Sequence, residues 1–280
     1  MDISKKILVT GAAGYIGKHV VQELVHKGYE VIASDYVKGD DADKVTWITI
    51  PIFDVTSDLF EQLGSPDVLI HLAWQDGFVH NSAAHMNNLA KHIAFLNHMI
   101  DSGISNISVM GTMHEIGYWE GMIEENTPCN PLNQYGVAKN ALRQSVMLYA
   151  QGKETKVNWL RAFYITGDDK RGNSVFSKIL DAEDRGVKVF PFTSGKNKYD
   201  FITIRELAEM IVAASVQTEF SGIINVCSGM PISLAERVES FIKDKNLSIT
   251  LEYGAFPDRA YDSPGVWGDA SIIQKIMKLN

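Results

Sequence analysis

The sequence predicts an α/β protein: a doubly wound parallel sheet followed by a smaller C-terminal lobe. Three observations predict it. Short apolar runs alternate with helix-period segments between residues 7 and 161. A glycine-rich turn follows the first run and opens an amphipathic helix. Beyond Arg161 the alternation loosens and a polar, turn-rich joint, Gly167-Asp168-Asp169-Lys170-Arg171-Gly172-Asn173, divides the chain.

Strands are expected at Ile7–Thr10, Val31–Ser34, Val45–Ile50, Val68–Ala73, Ile107–Met110 and Val157–Arg161, because each is a short β-branched or apolar run. Between the first two, Ile16, Val20 and Leu24 recur every fourth residue with Val21 and Val25 beside them, and Gly28 ends the pattern. Longer helices are expected over His85–Ser102 and Tyr135–Gln151. After the joint come a helix near Val175–Arg185, a strand over Val187–Phe190, and two capping boxes, Thr203-Ile204-Arg205-Glu206 and Ser233-Leu234-Ala235-Glu236. Ile223–Cys227 reads as a late strand able to rejoin the first sheet, so a division at 1–165 and 166–280 is expected with the lobes interleaved.

Composition narrows the function. The 280 residues are 45% hydrophobic and 21% charged with a net charge of −8, and no Lys/Arg run tracks a phosphate backbone, so nucleic acid is not an expected partner. Met1–Lys6 is polar, no apolar stretch approaches membrane-spanning length, and the expected compartment is the cytoplasm. Cys129 and Cys227 are too few for a disulfide framework, and the eight His show no ligand spacing, so no metal is expected.

The glycine turn carries chemistry. In Gly11-Ala12-Ala13-Gly14-Tyr15-Ile16-Gly17, Gly11 suits a tight turn, Gly14 lets backbone approach a pyrophosphate, and Gly17 lets helix pack on strand. The amides of Tyr15 and Ile16 then stand at a helix N-terminus, where phosphate is favoured. Asp35, eighteen residues past Gly17, can accept both hydroxyls of an adenine ribose. This is a Rossmann-type signature. The Asp35 charge favours NAD(H), and Lys38 nearby keeps NADP(H) open. Asp54-Val55 can meet the adenine, or Asp54 can cap the helix near Asp58.

A second motif supplies a proton. Tyr135 and Lys139 stand one helical turn apart in Tyr135-Gly136-Val137-Ala138-Lys139. A free phenol ionises near ~10, and an adjacent ammonium together with the positive charge of an oxidised nicotinamide stabilises the phenolate. The pair suits proton transfer at an alcohol or ketone oxygen.

Together with His71-Leu72-Ala73-Trp74, Pro131-Leu132-Asn133-Gln134 and Leu160-Arg161-Ala162-Phe163, these motifs resemble the extended short-chain dehydrogenase/reductases, in their nucleotide-sugar epimerase/dehydratase branch. The resemblance runs from Lys6 to about Arg161 and more loosely beyond. It implies that Leu72, Ala73, Trp74 and Phe163 adjoin the cofactor, and that Lys139 holds the nicotinamide ribose. It implies a catalytic set of Thr112, Tyr135, Lys139 and Asn88, with Thr112 on the substrate oxygen and Asn88 holding a helix bend and a water beside Lys139. His114, Tyr164, Asn173, Phe176 and Arg259 fall on the substrate side, with Lys196 and Lys198 as other phosphate contacts. A homodimer packed through the two long helices is a further implication.

Departures refine the expectation. Met113 and His114 stand where sugar dehydratases carry Asp-Glu, and Met113 also replaces the Cys of C3/C5 epimerases, leaving simple hydride transfer. Tyr164 and Tyr199 stand where an Asn and an Arg are usual. The segment Gly111–Gly121 resembles 4-ketoreductases of nucleotide-linked 6-deoxyhexoses. The expected activity is therefore NAD(P)-dependent 4-keto reduction of a nucleotide 6-deoxyhexose. A nucleotide-sugar 4-epimerase is the alternative enzyme, and a non-catalytic NAD(P)-binding regulatory protein the alternative class.

Overall fold

Ile7, Leu8 and Val9 are fully buried in succession, so the first strand needs cover on both faces. The computed structural model, which describes residues 5–39, 45–167, 174–258 and 262–279, supplies it. In chain order the first half runs β1 (Lys6–Thr10), α1 (Gly17–His26), β2 (Glu30–Ser34), β3 (Thr46–Ile48), α2 (Leu59–Gln62), β4 (Val68–His71), α3 (Ala84–Asp101) and β5 (Asn106–Thr112). A 3-10 turn (Met113–Glu115) leads to β6 (Gly121–Ile123), α4 (Gln134–Tyr149), β7 (Lys156–Ala162) and β8 (Tyr164–Thr166). The remainder is α5 (Val175–Asp184), β9 (Val189–Pro191), β10 (Lys198–Thr203), α6 (Ile204–Val216), β11 (Gly222–Val226) and β12 (Pro231–Ser233). It closes with α7 (Leu234–Asp244), β13 (Thr250–Glu252), β14 (Gly265–Gly268) and α8 (Ser271–Leu279).

Seven strands form one sheet in the order β11-β7-β5-β4-β1-β2-β3, with every pairing parallel. Alternating side chains serve two helical layers. Ile7 and Val9 pack with Val20, Val21 and Leu24 of α1 and with Leu207 and Ile211 of α6. Leu8, Leu69 and Ile107 pack with Phe95 and Met99 of α3 and with Leu142 and Val146 of α4. The strand order reverses between β1 and β4, and in such sheets a crevice opens at the carboxyl ends there.

A second sheet, β12-β10-β14-β6 with β8 beside β10, lies beyond those ends. Its lobe has its own core of Phe176, Ile179, Phe192, Val238 and Phe241, and β9 pairs β13 at its margin. Both expected capping boxes form, Thr203 with Glu206 and Ser233 with Glu236. The second helix of the catalytic motif starts at Gln134, because the Asn133 side chain accepts from the Gly136 amide at 2.8 Å. The expected strand at Val45–Ile50 shrinks to three residues, and that at Val68–Ala73 ends at His71.

Candidate active site

The glycine cradle occupies the β1–α1 turn. Gly11 has φ +69°, and a Cβ there would lie 2.6 Å from the Ala73 amide nitrogen. At Gly17 a Cβ would lie 2.0 Å from Gly11 O. These two positions admit only glycine, and so bring α1 end-on to the crevice. Ile16 is its N-cap, no side chain among the described residues caps it, and no acid sits in its first turn. The positive helix end is thus left to a ligand anion. The Asp35 carboxylate ties into the cradle: Oδ2 accepts from the Ala13 amide at 2.9 Å and Oδ1 from Tyr36 at 2.7 Å. This donor set fits a dinucleotide, with phosphates on the α1 amides and ribose hydroxyls on Asp35.

Other expected cofactor residues divide. Leu72 and Ala73 turn over the cradle, the Leu72 amide bonding Thr10 O at 3.1 Å. Tyr15 meets Phe78 edge-on, with ring centroids 6.2 Å apart. Asp54 and Val55 are exposed, and the cap of α2 is Asp58, not Asp54. Phe163 is a buried core side chain packed so close to Gly268 that a Cβ there would lie 2.7 Å from the ring.

Three expected catalytic groups converge at the ends of β5 and α4. Thr112 ends β5 in an extended conformation, and its hydroxyl stands near enough to the Tyr135 phenol to ease ionisation. Lys139 is buried; its Nζ donates to Met110 O at 2.7 Å and lies 3.8 Å over the Trp74 ring. Its distance to the Tyr135 ring centroid is 5.9 Å. On balance the protein groups around the phenol work against its ionisation. Burial, then the Glu115 charge, push the Tyr135 phenol above its ordinary range. Burial pushes Lys139 down to about 7, so near neutrality its charge is shared between two forms. The phenol is not pre-ionised by its lysine.

Asn88 bonds outside the catalytic trio. Its amide donates to Gln75 Oε1 at 3.0 Å, and imidazoles fill the neighbourhood instead. Thr10 Oγ1 bonds His71 Nδ1 at 2.8 Å, and His71 Nε2 bonds His92 Nδ1 at 2.9 Å. Burial lowers both, His92 to about 3, so the pair is neutral. His92 stacks on Trp74 with centroids 4.5 Å apart. The Trp74 indole N–H donates to His85 Nδ1 at 3.0 Å, which leaves His85 Nε2–H to donate to Val79 O. On the open side, His80 lies parallel to Tyr135 at 5.7 Å and 4.3 Å from His114, which burial lowers to about 4.

Sequence reasoning saw His114 but missed His71, His80, His85 and His92 as a group. One signal was present: His85 and His92 are seven residues apart, on one face of α3. Among the described residues no cluster of His, Cys, Asp and Glu could hold a metal ion.

On the lobe side, Tyr164 and Tyr199 pack with ring centroids 4.5 Å apart, and burial pushes the Tyr164 phenol up. Phe176 does not line a ligand surface; it is buried in the lobe core against Phe201 and Phe241. Lys196 and Lys198 are exposed, while Asn173 and Arg259 lie outside the described residues.

Comparison with known proteins gives a consistent picture. A dTDP-6-deoxy-L-talose 4-dehydrogenase (NAD(+)) of Aggregatibacter actinomycetemcomitans is 46% identical over 94% of this chain and 98% of its own. Among solved structures, a UDP-N-acetylglucosamine 4-epimerase from Methanobrevibacter ruminantium M1 superposes with a TM-score of 0.83 at 21% identity, over 98% of this chain and 92% of the other. MoeE5 in complex with UDP-glucuronic acid and NAD superposes with a TM-score of 0.81 at 24% identity, over the same shares. At those identities the superpositions establish the fold. The family model for NAD dependent epimerases/dehydratases matches residues 7–227, and with the 46% identical relative it settles that this chain belongs to the NAD-dependent epimerase/dehydratase family.

Proposed function

We propose that this protein is an NAD-dependent oxidoreductase that interconverts a hydroxyl and a ketone at C4 of a nucleotide-linked 6-deoxyhexose. The observation that carries the reading is the convergence of Thr112, Tyr135 and Lys139 on one crevice, at the strand-order reversal where the glycine cradle also opens. The sugar class comes from the 46% identical relative, a dTDP-6-deoxy-L-talose 4-dehydrogenase.

A bound nicotinamide supplies the hydride acceptor or donor. The chain does the rest. Tyr135 gives a proton to the ketone oxygen in reduction and takes it back in oxidation. Thr112 holds that oxygen against the phenol. Its high phenol pKa keeps Tyr135 loaded as an acid at neutral pH, which suits reduction. Lys139, with a pKa of about 7, exchanges its own proton near neutrality and provides the balancing cation when the phenolate forms. Met113 beside Thr112 has no proton to give, which separates this site from water elimination. Residues 1–165 hold the cofactor in this reading, and 166–280 select the sugar nucleotide. A homodimer through α3 and α4 and a cytoplasmic setting belong to the same reading; no described helix is long and apolar enough to cross a membrane.

The test is absorbance at 340 nm with dTDP-6-deoxy-L-talose and NAD. Stoichiometric NADH formation is expected. Sugar interconversion without net NADH would instead make the protein a 4-epimerase. Tyr135→Phe is expected to lose roughly 100-fold or more in turnover while binding NAD normally, and normal turnover would sink the assignment.

A further inference from the structure

Glu115 lies directly behind the site and does not open into it. Its side chain has no solvent exposure. Oε1 accepts from the Thr112 amide at 2.8 Å and from the Trp159 indole N–H at 2.8 Å. Oε2 faces Arg143 Nε and Arg161 Nε, each at 3.7 Å. Gly111, the residue before Thr112, makes room for this arrangement: a Cβ there would lie 2.8 Å from Glu115 Oε1 and 2.1 Å from Trp159 Nε1. Glu115 closes a capping box on the 3-10 turn, its side chain accepting from the Thr112 amide while the Thr112 hydroxyl accepts from the His114 amide. A carboxylate this deep is costly unless paired, and a cap alone does not call for full burial between two guanidinium groups. Burial raises its pKa, and Arg161 first, then the Thr112 amide, oppose that rise.

We propose that Glu115 is a positioning residue for the reaction at Tyr135: its carboxylate fixes the backbone that presents Thr112, and its charge is set against the phenol from behind. The inference rests on the assignment of Tyr135 and Thr112 under Proposed function. Two separable roles follow. Reach, through Oε1 to the Thr112 amide, holds the hydroxyl in line with the phenol. Charge disfavours the Tyr135 phenolate and favours the Lys139 ammonium, the two members of the pair. Among the described residues, the groups facing Tyr135 are Thr112 from β5, His114 and Glu115 from the 3-10 turn, His80 from the loop before α3, Trp74 from the turn after β4, His85 from α3 and Lys139 from α4. Glu115 is the carboxylate in that set.

The roles are tested with two variants. Glu115→Gln keeps the reach and removes the charge; Glu115→Asp keeps the charge and, one methylene shorter, withdraws the reach. For both, kcat, KM and Tm are measured in the oxidation direction with NAD saturating, so that its positive charge offsets the rise at Tyr135 and brings the limb between about pH 6 and about pH 10. For Glu115→Gln the ascending limb of kcat is expected to move toward acid by roughly half a unit or more, because the phenol ionises more readily. For Glu115→Asp, kcat is expected to fall about tenfold or more with the limb in place and KM little changed. A lower Tm with wild-type kcat, KM and pH limb in both variants would overturn the proposal, leaving Glu115 a fold residue. If Glu115→Gln alone does not fold, it is combined with Arg143→Met, which removes one of the cations left facing it, and the same limb is read. Tyr135→Phe run alongside separates the failures: full turnover there defeats the underlying assignment, whereas its loss beside wild-type-like Glu115 variants defeats this inference alone.

Discussion

The buried His71–His92 pair sets a measurable acid limit on the fold. Both rings are essentially unexposed and bonded to each other at 2.9 Å, with Thr10 on the far side. His92 ionises at about 3 in the folded chain, against 6.5 when unfolded, because of burial first and Lys139 second. Above pH 6.5 neither state carries the proton and His92 has no effect. Below it the unfolded chain takes up the proton and the folded chain refuses it until about pH 3. Stability therefore falls as pH falls, at up to about 1.4 kcal/mol per pH unit, and by about 2 kcal/mol between pH 7.5 and pH 5 from His92 alone. His71, lowered in the same direction by burial first and His92 second, adds to the loss on acidification. The perturbation is His92→Gln, which replaces the ring by an amide that does not titrate. Urea unfolding is measured at about pH 7.5 and about pH 5 for both proteins. The variant is less stable at the higher pH, having lost its stacking on Trp74, yet its loss on acidification is smaller than that of wild type by about 2 kcal/mol. Parallel losses in the two proteins would refute the argument, since they would show that His92 is protonated in the fold.

Gly17→Ala places a Cβ 2.0 Å from Gly11 O, so α1 must move off the cradle, and NAD affinity by fluorescence titration drops at least about tenfold. Unchanged affinity would mean that the pyrophosphate does not sit on α1. Asp35→Asn keeps an acceptor for the Ala13 amide but removes the charge. The ratio of kcat/KM for NAD over NADP then narrows by about tenfold, and an unaltered ratio would take cofactor choice away from Asp35.

How much was legible in the sequence follows from where each signal resides. Ile7–Val9 and Val68–Ile70 are buried on both faces, and a parallel strand covered on both sides leaves an unbroken apolar run. The second sheet left no such trace, because β6, β12 and β14 have three, three and four residues and only half-covered faces. Tyr135 and Lys139 share a helix, so spacing alone brought them together. The imidazoles come from β4, the loop before α3, α3 itself and the turn after β5, and only the fold assembles them. The groups that oppose ionisation of Tyr135 were hidden for the same reason: spacing announces the lysine, whereas burial and the Glu115 charge belong to the surroundings. Glu115, one place past His114, carries no signal of its own in the sequence; only the fold buries it between Thr112, Trp159 and two arginines.

The placement of β11 against β7 bears on how the protein is made. Translation delivers β7 well before Gly222–Val226, and until then β7 forms an open margin with Trp159 and Leu160 along it. β6 waits longer still, since its partner β14 begins at Gly265. A nascent chain halted after β8 therefore exposes an unpaired parallel edge, the kind of surface that chaperones engage and that aggregates recruit. The residues that close this edge lie in the chain between β10 and β12, two strands of the second sheet. Completion of the sheet is thus deferred to late synthesis, and a ribosome-stalled fragment ending in that interval should behave as chaperone substrate until Val226 emerges.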